Sequence, residues 1–141
     1  MSPRRVTLTC DSRLDTVELL ARAVRALCAS SGLDPRLCAH VELALVEAAN
    51  NCVRHAYQLE AGHPLEVVFT LHADHFTLEV TDEGQPMSPR PAPMLDFDPG
   101  DIANLPTGGM GLFLIHSVMD QVEYTCANGR NTLAMTKRLA A

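Results

Sequence analysis

From Arg5 to Cys10 polar and apolar residues alternate, with Val6, Leu8 and Cys10 on one side, which predicts a first strand. Between Arg13 and about Ser31 the period changes. Leu14, Val17, Leu20/Ala21, Val24 and Leu27/Cys28 recur at helical spacing, with Asp11 or Ser12 placed to cap the helix and Ser31-Gly32 to end it. Asp34-Pro35 starts a second helix, because Asp accepts from free N–H groups and Pro fits the first turn. Its apolar face is Val41, Leu45, Ala48, Cys52 and Ala56; it runs to about Gln58, and Gly62 terminates the segment. Leu65–Leu71 and Phe76–Thr81 are β-rich runs joined through His72-Ala73-Asp74-His75, a hairpin. Residues Leu112 to Met119 form a helical run, and Gln121–Cys126 with Thr132–Arg138 form a closing hairpin about Asn128-Gly129. The order β-α-α-β-β-loop-α-β-β predicts an α+β fold: a two-layer α/β sandwich with a mixed, mostly antiparallel sheet and helices packed on one face.

Between the third strand and the third helix the pattern breaks down. Six of the nine prolines fall between Asp82 and Pro106, where neither helix nor sheet can propagate. A loop of that length inside one domain is uncommon and is usually functional.

Composition narrows the function classes. The 141 residues suit a single domain, 1–141, burying roughly 68–70% of its unfolded surface. With no Trp and 4% aromatic residues, its core must be aliphatic. A net charge of −6 and no Lys/Arg run argue against direct nucleic-acid binding. Five cysteines without a C-x-x-C pair read as free thiols in a reducing compartment. Neither a signal-peptide stretch nor a membrane-length apolar run is present, so the expectation is a soluble, cytoplasmic protein with no membrane partner.

Three constellations bear chemistry. Glu47, Asn51 and His55 are spaced i, i+4, i+8 and share a stripe beside the apolar face of the second helix. An Asn oxygen suits Mg2+, and a nearby Glu suits deprotonation of a hydroxyl; a solvated helix face accounts for the stripe as well. Asp82-Glu83-Gly84 follows a strand directly, so Asp82 can accept from an exocyclic amine and Gly84 permits a tight turn; an ordinary turn has the same pattern. Gly108-Gly109-Met110-Gly111 opens a helix, where backbone N–H groups can approach an anion, or simply lead flexibly into the helix. His72-x-x-His75 has the spacing of half a metal site, but two exposed turn histidines explain it better.

In combination and in this order, these segments resemble the N box, first glycine box, ATP lid and second glycine box of the GHKL ATPase superfamily, with its Bergerat ATP-binding fold. Within it the chain is most similar to bacterial anti-sigma-factor serine-protein kinases. The matching text is Glu47-Ala48-Ala49-Asn50-Asn51 with His55-Ala56-Tyr57, then Asp82-Glu83-Gly84, Gly108 to Ile115, Met119 to Tyr124, and Gly129-Arg130-Asn131-Thr132.

The resemblance implies ATP and Mg2+ as cofactors, with Asn51 as metal ligand and Glu47 as general base for an attacking serine. It implies Asp82 on the adenine amine with Gly84 shaping the purine wall, and Gly108, Gly109, Met110 and Gly111 around the phosphates. Thr132 would join the adenine through water, and His55 would sit near the triphosphate. The segment of about 85–107 would be the lid. Partners implied are a sigma factor and an anti-sigma-factor antagonist, with a homodimer formed through the first-helix region. One departure stands out: such kinases often carry an arginine just before the second glycine box, where this chain reads Asn104-Leu105-Pro106-Thr107. That departure implies an alternative, a non-catalytic, nucleotide-gated binding regulator of the same fold.

Overall fold

Period-two alternation becomes five strands: β1 (Arg4–Asp11), β2 (Pro64–Leu71), β3 (His75–Asp82), β4 (Gln121–Ala127) and β5 (Arg130–Arg138). Helical periodicity becomes α1 (Leu14–Ser30), α2 (Pro35–Asn51) and α3 (Met110–Val118). The computed structural model describes residues 2–87 and 110–139. The proline-rich segment between them, with Gly108 and Gly109, lies outside the described residues.

The sheet order is β1-β2-β3-β5-β4, and each neighbouring pair is antiparallel. No parallel pair forms, although a mixed sheet was expected. Two helices between β1 and β2 return the chain to the end where β1 finished, so β2 must run back. β3 and β4 run in the same direction, since each is antiparallel to β5, but β5 lies between them.

Register separates the two faces. Val6, Phe69, Leu78, Met135 and Val122 form one row across the sheet, and Leu8, Val67, Val80, Leu133 and Tyr124 form the next. These rows face the helices and carry the strand half of the core, except Val6 at the edge of the sheet, which is exposed. The helix half is Val17, Leu20, Ala21, Val24 and Cys28 on α1 and Cys38, Val41, Ala44, Leu45, Ala48 and Ala49 on α2. Burying one such Leu or Val contributes about 1.5–3 kcal/mol. The core is mostly aliphatic, as the composition suggested, but Phe69 and Phe76 are also buried in it with ring centroids 5.6 Å apart.

Local details depart from the simple pattern in three places. The helix expected to reach Gln58 is α-helical only to Asn51, and Cys52–Ala56 widens into a π-helical turn in which Tyr57 N–H donates to Cys52 O at 2.9 Å. Gln58 and Leu59 then adopt positive φ, so the chain leaves the helix well before Gly62. Neither Asp11 nor Ser12 caps α1: its N-cap is Arg13, with no side-chain cap. Ser12 is instead buried, donating to Glu60 O and accepting from His63 N–H, which ties the α2–β2 connection to the end of β1. The other expected cap is present, with Asp34 accepting from Arg36 N–H at 2.7 Å and Pro35 following it.

The two hairpins form where turn chemistry placed them. Asn128 and Gly129 both have positive φ, the backbone of the two-residue turn that Asn-Gly favours. β5 begins at Arg130, earlier than the expected Thr132. His72 and His75 stack at 4.2 Å at the other hairpin, and among the described residues no cluster of three metal-ligating side chains occurs. All five cysteines are free. Among the described residues no helix is long and apolar enough to cross a membrane.

Candidate functional site

At the end of the sheet where β3 and β5 approach the π-helical turn, a cavity of about 520 Å3 opens between the layers. It is lined by Val80 and Leu133 of the sheet, by Ala48, Asn51, Cys52, His55 and Ala56 of α2 and the π-helical turn, and by Gly111 and Leu112 of α3. Gln85, Pro86, Met87 and Tyr124 complete it.

Asp82 ends β3 inside this cavity, only 5% exposed. Its Oδ1 accepts from Gly84 N–H at 3.0 Å and from Asn131 Nδ2 at 2.8 Å. A buried carboxylate needs such donors, since desolvation otherwise disfavours its charge. The Cys52 thiol also faces Asp82; burial and that carboxylate push it well above the usual thiol range.

Gly84 is required by close approach. A β-carbon there would stand 2.4 Å from Ala56 O, inside any tolerable contact. Gln85 N–H donates to the same carbonyl at 2.9 Å, so the turn after β3 docks directly on the π-helical turn. Tyr57 reinforces the junction: its hydroxyl donates to Pro64 O and accepts from Glu83 N–H, both at 2.6 Å, while its ring stacks on His63. Burial raises the Tyr57 phenol above its usual range. On the far side, Met87 N–H donates to Tyr124 Oη at 2.8 Å, and burial pushes the Tyr124 phenol up to about 12.

Glu47 and Asn51 meet the third constellation at Gly111. A β-carbon on Gly111 would lie 2.9 Å from Glu47 Oε2 and 3.4 Å from Asn51 Nδ2. Any side chain at Gly111 would have to displace the Glu47 carboxylate from its place beside α3. Asn51 and His55 line the cavity, the latter exposed; Glu47 stands beside it, facing Gly111. Met110 begins α3, and its side chain, like Gly108 and Gly109, is outside the described residues.

Thr132 is positioned differently from the expectation. It pairs with Thr81, with their Oγ1 atoms 2.9 Å apart, on the sheet face away from the cavity. The preceding residue, Asn131, faces inward, is 4% exposed, and lines the cavity. Strand alternation decides this: Leu133 and Met135 are in the core, so 131 shares their face and 132 does not. That alternation was available in the sequence and would have selected Asn131. Tyr57, Cys52 and Tyr124 were also missed as site-shaping residues, because their partners come from other elements.

Comparisons with known proteins bear on the family and the fold. The family described as "Histidine kinase-like ATPase domain" matches residues 10–137. A serine-protein kinase RsbW of Halalkalibacterium halodurans is 32% identical, covering 97% of this chain and 85% of that protein. Another RsbW, of Listeria monocytogenes, is 26% identical over 94% of this chain and 86% of its own length. Among solved structures, the RsbU and RsbW domains of a Mycobacterium tuberculosis protein share the fold with a TM-score of 0.66 at 19% identity. The match covers 98% of this chain and 32% of that one. The SiaB–SiaC complex of Pseudomonas aeruginosa shares it at TM-score 0.53 and 15% identity, over 94% of this chain and 89% of that one. The chain belongs to the histidine kinase-like ATPase domain family, in which it is similar over nearly its full length to the RsbW serine-protein kinases.

Proposed function

We propose that this protein is an MgATP-dependent serine-protein kinase that acts as an anti-sigma factor in a partner-switching pathway, phosphorylating a serine of an antagonist protein. The observation that carries the reading is the meeting of Gly111 with Glu47 and Asn51 at a cavity that buried Asp82 also lines.

The residues fit the groups the family implies. Asp82 offers a carboxylate for the exocyclic amine of adenine, and the apolar lining of Val80 and Leu133 suits a purine ring. Asn51 supplies a hard oxygen of the type Mg2+ takes, and the missing Cβ of Gly111 keeps room beside it. Mg2+, when bound, would neutralise charge on the triphosphate. Gly108, Gly109 and Gly111 would present backbone N–H groups to the phosphates at the start of α3. His55 would stand near the triphosphate, and the segment of about 85–107 would close as the lid.

Glu47 is the candidate base. In the transfer step the serine oxygen bonds to the γ-phosphorus, the bond from that phosphorus to the β–γ bridging oxygen breaks, and ADP leaves with the electron pair. The serine proton passes to Glu47. Positioning and charge stabilisation supply most of the rate in such transfers. A cytoplasmic homodimer accompanies this reading; exposed Val6, Leu14 and Leu19 on β1 and α1 support it.

A second reading, a nucleotide-gated binding regulator without catalysis, is favoured by the absence of an arginine from Asn104-Leu105-Pro106-Thr107. ATP labelled at the γ-phosphate separates the two. Added to desalted lysate of the source organism lacking this gene, wild type should place acid-stable label on one small protein, and Glu47→Gln should not. MgATP binding without any labelled protein would replace the kinase with the regulator.

A further inference from the structure

Asn131 is joined to both ends of the Asp82-Glu83-Gly84 turn. Its Nδ2 donates to Asp82 Oδ1 at 2.8 Å and to Gly84 O at 2.9 Å. The amide can point only this way, because the opposite orientation would set its oxygen against a carboxylate and a carbonyl. Both Nδ2 protons are thereby spent. Gly84 N–H occupies the same Asp82 oxygen at 3.0 Å, so one side of the carboxylate is saturated and its plane is fixed.

The geometry points to Asn131 as a specificity-determining residue that positions Asp82 so that the cavity accepts a 6-amino purine and rejects a 6-oxo purine. The inference rests on the cavity being a nucleotide site. Its chemistry is a matter of donors and acceptors. An adenine edge presents an N6 donor beside the N1 acceptor, whereas a hypoxanthine or guanine edge presents an O6 acceptor beside an N1–H donor. A carboxylate free to turn can serve either edge, by accepting from N6–H or by swinging to N1–H. A carboxylate held on one oxygen by Asn131 and Gly84 cannot swing. What the carboxylate then leaves to the base is an acceptor, Asp82 Oδ2. A site of that kind leaves a 6-oxo group facing another acceptor, and such mismatches in buried sites discriminate strongly.

Asn131 touches the turn through its side chain and does not take part in phosphate chemistry, so its effect should be on the base and not on the phosphates. ADP and IDP differ only at the 6-position and its N1 tautomer, which makes their affinity ratio the direct readout. Isothermal titration of wild type, Asn131→Leu, Asn131→Ala and Asn131→Thr with each nucleotide in Mg2+ measures it, with circular dichroism checking the fold. Wild type should favour ADP by about a hundredfold. Leu and Ala should each narrow that ratio by about tenfold, and Thr, which retains one hydroxyl donor, should recover part of it. Two substitutions of different size keep the test open if one variant fails to fold. A ratio unchanged in the folded variants, both affinities falling together, would overturn the assignment and leave the nucleotide site standing. Wild type binding ADP and IDP equally would also overturn it, while wild type binding neither would remove the nucleotide reading itself.

Discussion

Gly111 and Glu47 occupy adjoining space: a β-carbon on the glycine would stand 2.9 Å from Glu47 Oε2. Sixty-four positions apart in number, they bring the start of α3 against the stripe of α2. The contact that a β-carbon would make is with the end of a side chain, not with backbone, so the fold can yield there at the expense of the carboxylate's position.

Gly111→Ala should therefore spare stability and damage transfer. With Glu47 as the proposed base, displacing it by a fraction of an ångström should cost rate, because a base must lie within hydrogen-bond reach of its proton. A fall of about ten- to a hundredfold in phosphoryl transfer is expected, with melting temperature changed by no more than about 4 °C. Steady-state phosphorylation and thermal melts on the same preparation check it; an equal loss of both would refute the division.

Gly84→Ala should do the reverse. The atom 2.4 Å from the new β-carbon is the Ala56 carbonyl oxygen, which also accepts from Gln85 N–H. Backbone must move, which costs about 1–3 kcal/mol by overpacking. Urea unfolding should show that loss, together with weakened ADP binding as Asp82 shifts.

Tyr57→Phe removes one oxygen and leaves two backbone groups without it, Pro64 O and Glu83 N–H. Losing these two part-buried hydrogen bonds costs about 1–3 kcal/mol together. Amide exchange at Glu83 should accelerate more than exchange in β5, which makes no contact with that hydroxyl. Uniform acceleration across the sheet would mean that Tyr57 contributes only to global stability.

Alkaline pH should destabilise the fold through Cys28. Burial, with Cys38 beside it, raises this thiol from the ordinary 9.0 to about 12. A raised folded-state pKa means that the native state binds the proton more tightly than the unfolded chain does. The corresponding stability is complete below pH 9 and is lost as pH rises from about 9 to 12. Cys28→Ala should flatten the decline of stability over that window, measured by urea unfolding at stepped pH. An unchanged slope would assign the alkaline loss to other groups, Tyr124 first among them.

Much of the fold was legible because most of the chain obeys one period at a time. Val17, Leu20, Val24 and Cys28 announce α1, and the core alternation of β2 and β3 announces a sheet with one covered face. Asp34-Pro35 and Asn128-Gly129 marked a helix start and a hairpin turn because their backbone requirements are local. The α1 cap failed because Ser12 is drawn into tertiary bonds with Glu60 and His63, which no local rule anticipates. The π-helical turn at Cys52–Ala56 failed for a similar reason: its last carbonyl is held by Gln85, nearly thirty residues on.

By itself the sequence determined the layers, the largely aliphatic core, the free thiols and the residue types that nucleotide chemistry needs, since each depends on spacing or composition. Only the tertiary structure decided which of those residues meet. Sheet register turned Asn131 inward and Thr132 outward, a one-residue difference that reverses a side chain's face. Helix packing set Gly111 against Glu47 and Asn51, and a shared carbonyl set Gly84 against Ala56. These contacts join segments far apart in the chain, and their positions follow from how the sheet and helices pack, which no single stretch of sequence encodes.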